Sequence, residues 1–95
     1  MTRALFPLGQ LVATPGALDR MEQHGISGAV LIRRHVSGDW GDIHPDDRGL
    51  NEEALRDGAR IFSVYGKDDG QTDYRLWAIT EADRSATTIL RPEDY

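Results

Sequence analysis

The chain has 95 residues, which is the size of one domain, and we expect a single domain over residues 1–95. Its net charge is −5. Because an acidic surface is repelled by phosphate backbones, this charge argues against direct nucleic-acid binding and favours a protein partner with a basic surface. Cysteine is absent, which excludes disulfides and thiolate zinc sites and is typical of a reducing compartment, so we expect a cytoplasmic protein.

The first predicted elements are a strand and a helix. The apolar run at residues 8–13 predicts the strand. The start of the chain superficially resembles a signal peptide, but proline and glycine interrupt its apolar run, so we expect neither a leader nor a membrane span. Thr14 and Pro15 then begin a helix, as N-cap and first helical residue. Gly25 ends this helix as a left-handed cap.

Two further helices are predicted between residues 28 and 58. Residues 28–37 place apolar side chains on one helical face, with Ser27 as a candidate N-cap and Gly38 as the stop. The third helix begins at Pro45, carries two aspartates in its first turn as the helix dipole prefers, and closes at Gly58.

The last third of the chain predicts three consecutive strands, at residues 61–65, 74–80 and 85–90, rich in β-branched and aromatic side chains. The order of elements indicates a two-layer α+β fold, with an N-terminal strand, two to three helices and a three-stranded antiparallel meander. We expect the helices to lie on one face of a small, mostly antiparallel sheet. The first strand must join this sheet, and parallel pairing with a meander strand is one option.

The turn between the last two strands concentrates polar side chains at residues 81–85. Glu81, Asp83 and Arg84 could perform acid–base chemistry or hold an anion. Asp83 and Ser85 are also ordinary turn residues that bond nearby backbone groups, and this structural interpretation is favoured. The functional interpretation that we keep for this turn is a charged edge that contacts a protein partner.

The acidic loop that begins at residue 38 has the sequence Gly-Asp-Trp-Gly-Asp. Its tryptophan, Trp40, either anchors a partner or folds back onto the core. His35 and His44 lie near its aspartates, but the spacing matches no metal-binding motif, so no metal and no cofactor are expected. We expect no catalytic residue either, and a partner-binding surface formed by Asp39, Trp40, Asp42, Asp46, Asp47, Glu81, Asp83 and Arg84.

Three segments together resemble a family of small bacterial proteins described only as hypothetical or plasmid-related. They are LGQLVATPGAL at residues 8–18, RHVSGDWGD at residues 34–42 and LWAITEADRSATTILRPE at residues 76–93. The resemblance covers nearly the whole chain and implies a mobile-element setting. By analogy, it suggests a non-enzymatic protein-binding accessory protein, with an inhibitor of host defence of the anti-CRISPR or anti-restriction kind as the leading class.

Two alternatives stay open at this point. The order of elements resembles that of RelE-like toxins. A toxin of this kind, or another small enzyme that acts on RNA or a nucleotide, would use His35, Arg84 and Glu81. An acidic chain is unusual for that class of protein. The other alternative is a structural homodimer that forms through an edge strand near residues 85–90.

Overall fold

The computed structural model describes residues 3–95. Its elements, in chain order, are β1 (Gln10–Ala13), α1 (Pro15–His24), α2 (Gly28–Val36), α3 (Pro45–Asp57), β2 (Ile61–Tyr65), β3 (Leu76–Thr80), β4 (Ala86–Leu90) and a 3-10 helix (Pro92–Asp94). The predicted α+β class is confirmed. None of the helices in this part of the chain combines the length and apolarity needed to span a membrane.

The strands form one mixed sheet in the order β1-β4-β3-β2. β3 pairs antiparallel with both β2 and β4, whereas β1 adds parallel to β4, with Leu11 beside Thr87. The sheet is therefore four-stranded and mixed, and the expected three-stranded antiparallel meander was incomplete. The expected edge near residues 85–90 was wrong, because β4 lies between β1 and β3.

Local chemistry explains the helix boundaries. The Thr14 hydroxyl accepts a hydrogen bond from the Ala17 amide at 3.1 Å, and Gly25 ends α1 with a φ of 64°. Gly58 ends α3 in the same left-handed region, at 75°. β1 begins two residues later than predicted because Gly9, with a φ of 65°, cannot continue an extended strand.

One face of the sheet is covered by helices and holds the main core. Tyr65, Leu76, Ala78 and Ile89 point from the strands into this inner face. Side chains of α1 and α2 pack on them: Ala17, Met21 and Leu31. A second buried cluster lies where α3 meets β2, and it consists of Phe6, Val36, Trp40, Ile43, Ala54 and Ile61.

The β2 edge of the sheet is closed by neighbouring segments. The Val64 amide donates to the carbonyl of Trp40 at 3.1 Å, and the Val64 carbonyl accepts from the amide of Asp42 at 2.6 Å. The side-chain amide of Asn51 bonds both backbone groups of Phe62, at 2.6 and 3.0 Å. These contacts satisfy the backbone groups that an edge strand would otherwise present to another chain.

Gly41 is the residue on which closure of this edge depends. Its φ is 73°, and a Cβ there would collide with the Val64 carbonyl oxygen and the Tyr65 ring. We expect Gly41→Ala to lower the free energy of unfolding by about 3 kcal/mol, since it combines a left-handed non-glycine residue with overpacking. Chemical denaturation measures this.

The matched control is Gly49→Ala inside α3, where an added Cβ meets open space. Alanine is a better helix former than glycine, so this variant should be unchanged or more stable by up to about 1 kcal/mol. Equal stability of the two variants would contradict the structural role given to Gly41.

Candidate functional site

A chain of hydrogen bonds runs through the inner face of the sheet and is centred on His35. The imidazole Nδ1 lies 2.6 Å from the Ser63 hydroxyl, and Nε2 lies 2.9 Å from the Thr80 hydroxyl. Thr80 in turn contacts Thr87 at 2.7 Å, and the Thr87 hydroxyl donates to the carbonyl of Leu8 at 2.8 Å. His35, Ser63, Thr80 and Thr87 are all fully buried.

The carbonyl at the end of this hydrogen-bond series fixes the direction of the bonds from Thr87 back to Nε2 of His35. A hydroxyl has one proton, and that of Thr87 is committed to the Leu8 carbonyl. Thr80 must therefore donate to Thr87, and the Nε2–H of His35 must donate to Thr80. Burial keeps the ring uncharged, so Nδ1 carries no proton and accepts from Ser63. His35 is then a neutral imidazole with its proton on Nε2.

The surroundings keep this imidazole neutral. Burial lowers the pKa of His35 from its ordinary value of 6.5 to about 4. The edge of the Phe6 ring packs against it with centroids 5.3 Å apart. Because both ring nitrogens are already bonded within the core, His35 stabilises the fold and is not placed to meet a substrate.

Trp40 belongs to the core. Only 4% of its surface is exposed, and its ring stacks near that of Phe6 at 6.3 Å. Its indole Nε1 is buried and has no hydrogen-bond partner among residues 3–95. Of the two alternatives for Trp40, folding back onto the core is confirmed, and its place among the partner-binding residues was wrong because its indole is buried. Backbone pairing of Trp40 with Val64 holds this part of the loop against β2.

The two aspartates beside Trp40 have bonding partners within the chain. Asp39 pairs with Arg34 at 2.7 Å, and this hydrogen bond is the main reason that the pKa of Asp39 lies below its ordinary value. Asp42 accepts a hydrogen bond from the Gly66 amide at 3.2 Å. Both carboxylates remain exposed, but they hold the loop on β2.

Arg84 lies in the β3–β4 turn and fastens it to the end of α3. Its guanidinium donates to the Ala59 carbonyl at 2.7 Å and to the Ala54 carbonyl at 3.1 Å. Cations at this position also complement the negative end of the helix dipole. Asp83 accepts from the Ser85 amide at 2.9 Å, and bonding to Ser85 lowers its pKa. The turn thus has the structural role that was favoured from its sequence, and the side chains of Glu81 and Asp83 are both exposed.

The predicted partner-binding residues belong to three separate segments. The loop containing Trp40 pairs with Val64, whereas Arg84 bonds to Ala59. The Phe6 ring lies 6.3 Å from the Trp40 ring and 5.7 Å from the Arg84 guanidinium, so it packs against both. Asp46 is exposed at the start of α3, and Asp47 lines a groove beside that helix. Among residues 3–95, no three histidine, aspartate or glutamate side chains converge into a metal-binding group.

The outer face of the sheet carries an aromatic platform, defined here as Phe62, Trp77, Ile79 and Tyr95. Phe62 and Trp77 meet edge to face with centroids 5.0 Å apart, and Tyr95 packs on Trp77 at 5.8 Å. Tyr95 is 70% exposed. Together with Arg60, whose guanidinium donates to the Tyr95 hydroxyl at 2.7 Å, these side chains line a cavity of about 250 Å³.

An acidic groove of about 390 Å³ adjoins this platform. Arg60 and Phe62 line both cavities and so join them into one surface. The groove contains three carboxylates from α3 and one exposed apolar side chain, and they are Asp47, Glu53, Asp57 and Leu50. The combined surface presents aromatic side chains beside negative charge.

Of the residues that line this surface, only Asp47 was predicted from the sequence to bind a partner. A signal was nevertheless present in β2 and β3, because both strands carry large apolar side chains at adjacent as well as alternate positions. In a two-layer fold the helices cover only one face, so such strands leave apolar side chains on the other face.

Comparison with known proteins finds no match to a protein-family model, to a curated protein or to a solved structure. The geometry of the chain is the basis for the functional proposal below.

The buried histidine makes stability depend on pH. Because the pKa of His35 is lower in the folded state than in the unfolded state, its contribution is complete above pH 6.5 and is lost as the pH falls towards 4. We expect a loss of about 3 kcal/mol across this window in urea unfolding. Substitution of His35 by Gln should remove that pH dependence, whereas His24→Gln, at a half-buried surface histidine, should retain it.

Carboxylates add their own loss at the acid end of this window. The pKa of Asp73 is lowered to about 2, chiefly by its hydrogen bond with Arg75, and the pKa of Glu93 is lowered from 4.5, so their contributions begin to fall below about pH 5. The difference between the wild type and His35→Gln isolates the part that belongs to His35, because both proteins keep these carboxylates. A pH dependence that is the same in the wild type and in His35→Gln would show that His35 is not held neutral.

Proposed function

We propose that the protein is a non-enzymatic binding protein of a bacterial mobile element that docks a basic protein partner on the aromatic platform and the adjoining acidic groove. The observation that carries the proposal is the continuity of these two features: Arg60 and Phe62 line both, so the platform on the outer face of the sheet continues into the groove beside α3. An inhibitor of host defence is the specific class we favour.

The aromatic part of the surface supports a protein partner. Tryptophan and tyrosine dominate binding hot spots, since they bury large areas at little conformational cost. Trp77 and Tyr95 are held in place by mutual packing and by Arg60, so they are ordered before a partner arrives. Preorganisation of this kind lowers the entropic cost of association.

The charged part of the surface supports a basic partner. Asp47, Glu53 and Asp57 outnumber the single cation Arg60 within the groove. Carboxylates beside an apolar patch attract lysine and arginine on a partner, and speed association at low salt. Proteins that bind nucleic acids, including many defence effectors, carry such basic surfaces, and this is the link to an anti-CRISPR or anti-restriction role.

The alternative of a RelE-like toxin or small RNA-acting enzyme receives no support from its candidate residues. His35 is fully buried, and Arg84 is bonded to main-chain carbonyls. Expression that leaves bacterial growth unaffected would count further against it, and growth arrest would revive it.

The groove predicts a charge-dependent interaction. We expect Glu53→Lys to reduce capture of the partner from a defence-competent host lysate by about tenfold, because it places a cation against a basic surface. Glu52→Lys is the matched control, since Glu52 is exposed on the same helix and does not line the groove. Both variants change the net charge equally.

The same variants test the biological role. Wild-type protein and Glu52→Lys should raise the survival of an incoming plasmid or phage in that host, and Glu53→Lys should not. If the wild type and both variants capture the same partner equally, the partner does not bind at the acidic groove. If none of them affects survival and none captures a partner, the proposed function fails.

A further inference from the structure

The two edges of the sheet differ in how their backbone groups are satisfied. β2 is closed by Trp40, Asp42 and Asn51, as described above. At β1, the amides of Gln10 and Thr14 donate towards β4, at 3.0 Å each. Alternate residues of a ladder face the same neighbour, so the N–H and C=O groups of Leu11 and Ala13 point away from β4.

These outward groups face solvent, and the protein element that matches them is an extended strand. Neither Leu11 nor Ala13 makes a backbone bond to another segment, or a side-chain bond, elsewhere in residues 3–95. A row of alternating donors and acceptors is matched by another β-strand and not by a helix, whose own groups are internally bonded.

The surface around this edge is apolar. Leu11, Val12 and Leu18 are 56%, 43% and 54% exposed. A groove of about 440 Å³ runs beside β1 along α1 and α2, and no charged or polar side chain lines it. The edge also lacks the lysine, proline or bulge that usually protects an exposed strand. Its occupant is therefore an uncharged, apolar, extended segment.

β1 itself has this chemistry, with the uncharged sequence Gln-Leu-Val-Ala. We propose that two copies of the protein form a two-fold dimer by antiparallel pairing of their β1 strands, with the axis at Val12. Leu11 of each copy then lies opposite Ala13 of the other, and the two residues exchange both of their backbone hydrogen bonds. Val12 lies opposite its own counterpart in the second copy.

This register also packs the apolar side chains of the two strands, in addition to pairing their backbone groups. Leu11 and Ala13 lie beside Thr87 and Ile89 on the helix-covered face, so these side chains of the second copy meet the apolar groove. The two Val12 side chains meet on the opposite face of the sheet. Pairing at one end of the sheet leaves the aromatic platform on β2 and β3 free, so the dimer presents two platforms and gains avidity for a repeated partner.

Disulfide trapping tests the register directly, because the native chain contains no cysteine. Opposed residues in a non-hydrogen-bonded pair have Cβ atoms about 4.5–5.5 Å apart, which modest adjustment brings into disulfide range. Val12→Cys should therefore become a covalent dimer on mild oxidation. Leu50→Cys, which is 60% exposed on α3, is the control and should cross-link only at the slow rate of random collision.

Charge variants at the same position give a second measurement by sedimentation. Val12→Lys and Val12→Asp each place like charges across the axis and should each weaken dimerisation by about tenfold or more, and mixing the two should restore a heterodimer. Leu50→Lys should dimerise as the wild type does, and Glu53→Lys should too, which separates this proposal from the proposed function.

Two results would overturn the dimer. One is a wild-type protein that sediments as a monomer at every concentration up to millimolar. In that case any strand that pairs with β1 would come from another protein. The other is a dimer that neither Val12 charge variant weakens, which would place the interface elsewhere.

Discussion

The buried hydrogen-bond chain through His35 is the interaction on which the rest of the fold depends. It joins α2 to β2, β3 and β4, and it ends on the carbonyl of Leu8 just before β1. An unpaired polar group at any point in this chain would cost about 1–3 kcal/mol, so its members are interdependent. These buried hydrogen bonds therefore specify how the helix layer is positioned on the sheet.

Because the inner face is committed to this arrangement, the binding that we propose must use the surfaces that remain. The GDWGD loop closes the β2 edge, and the turn containing Arg84 fastens the end of α3. Two of the apolar cavities that remain lie on the aromatic platform of the outer face and beside the open β1 edge. The two lie at different ends of the sheet, so they can act independently.

Local chemistry made much of the fold predictable, and long-range pairing made the site unpredictable. Thr14, Gly25 and Gly58 mark helix ends through their own backbone preferences, so sequence alone located them. The position of the loop around Trp40 depends on backbone pairing with Val64. The burial of His35 depends on hydrogen bonds to hydroxyls that lie 28 and 45 residues away in the sequence. Residue spacing carries no information about such contacts. Of the predicted binding residues, only Asp47 lines the surface that the fold assembles.

The protonation state of His35 tests the central claim most directly, and nitrogen-15 NMR of the imidazole ring measures it. The hydrogen-bond chain requires a neutral ring with its proton on Nε2, from neutral pH down to about pH 5, since the pKa lies near 4. A ring protonated on Nδ1, or one that titrates near its ordinary value of 6.5, would contradict the chain and the fold organised around it.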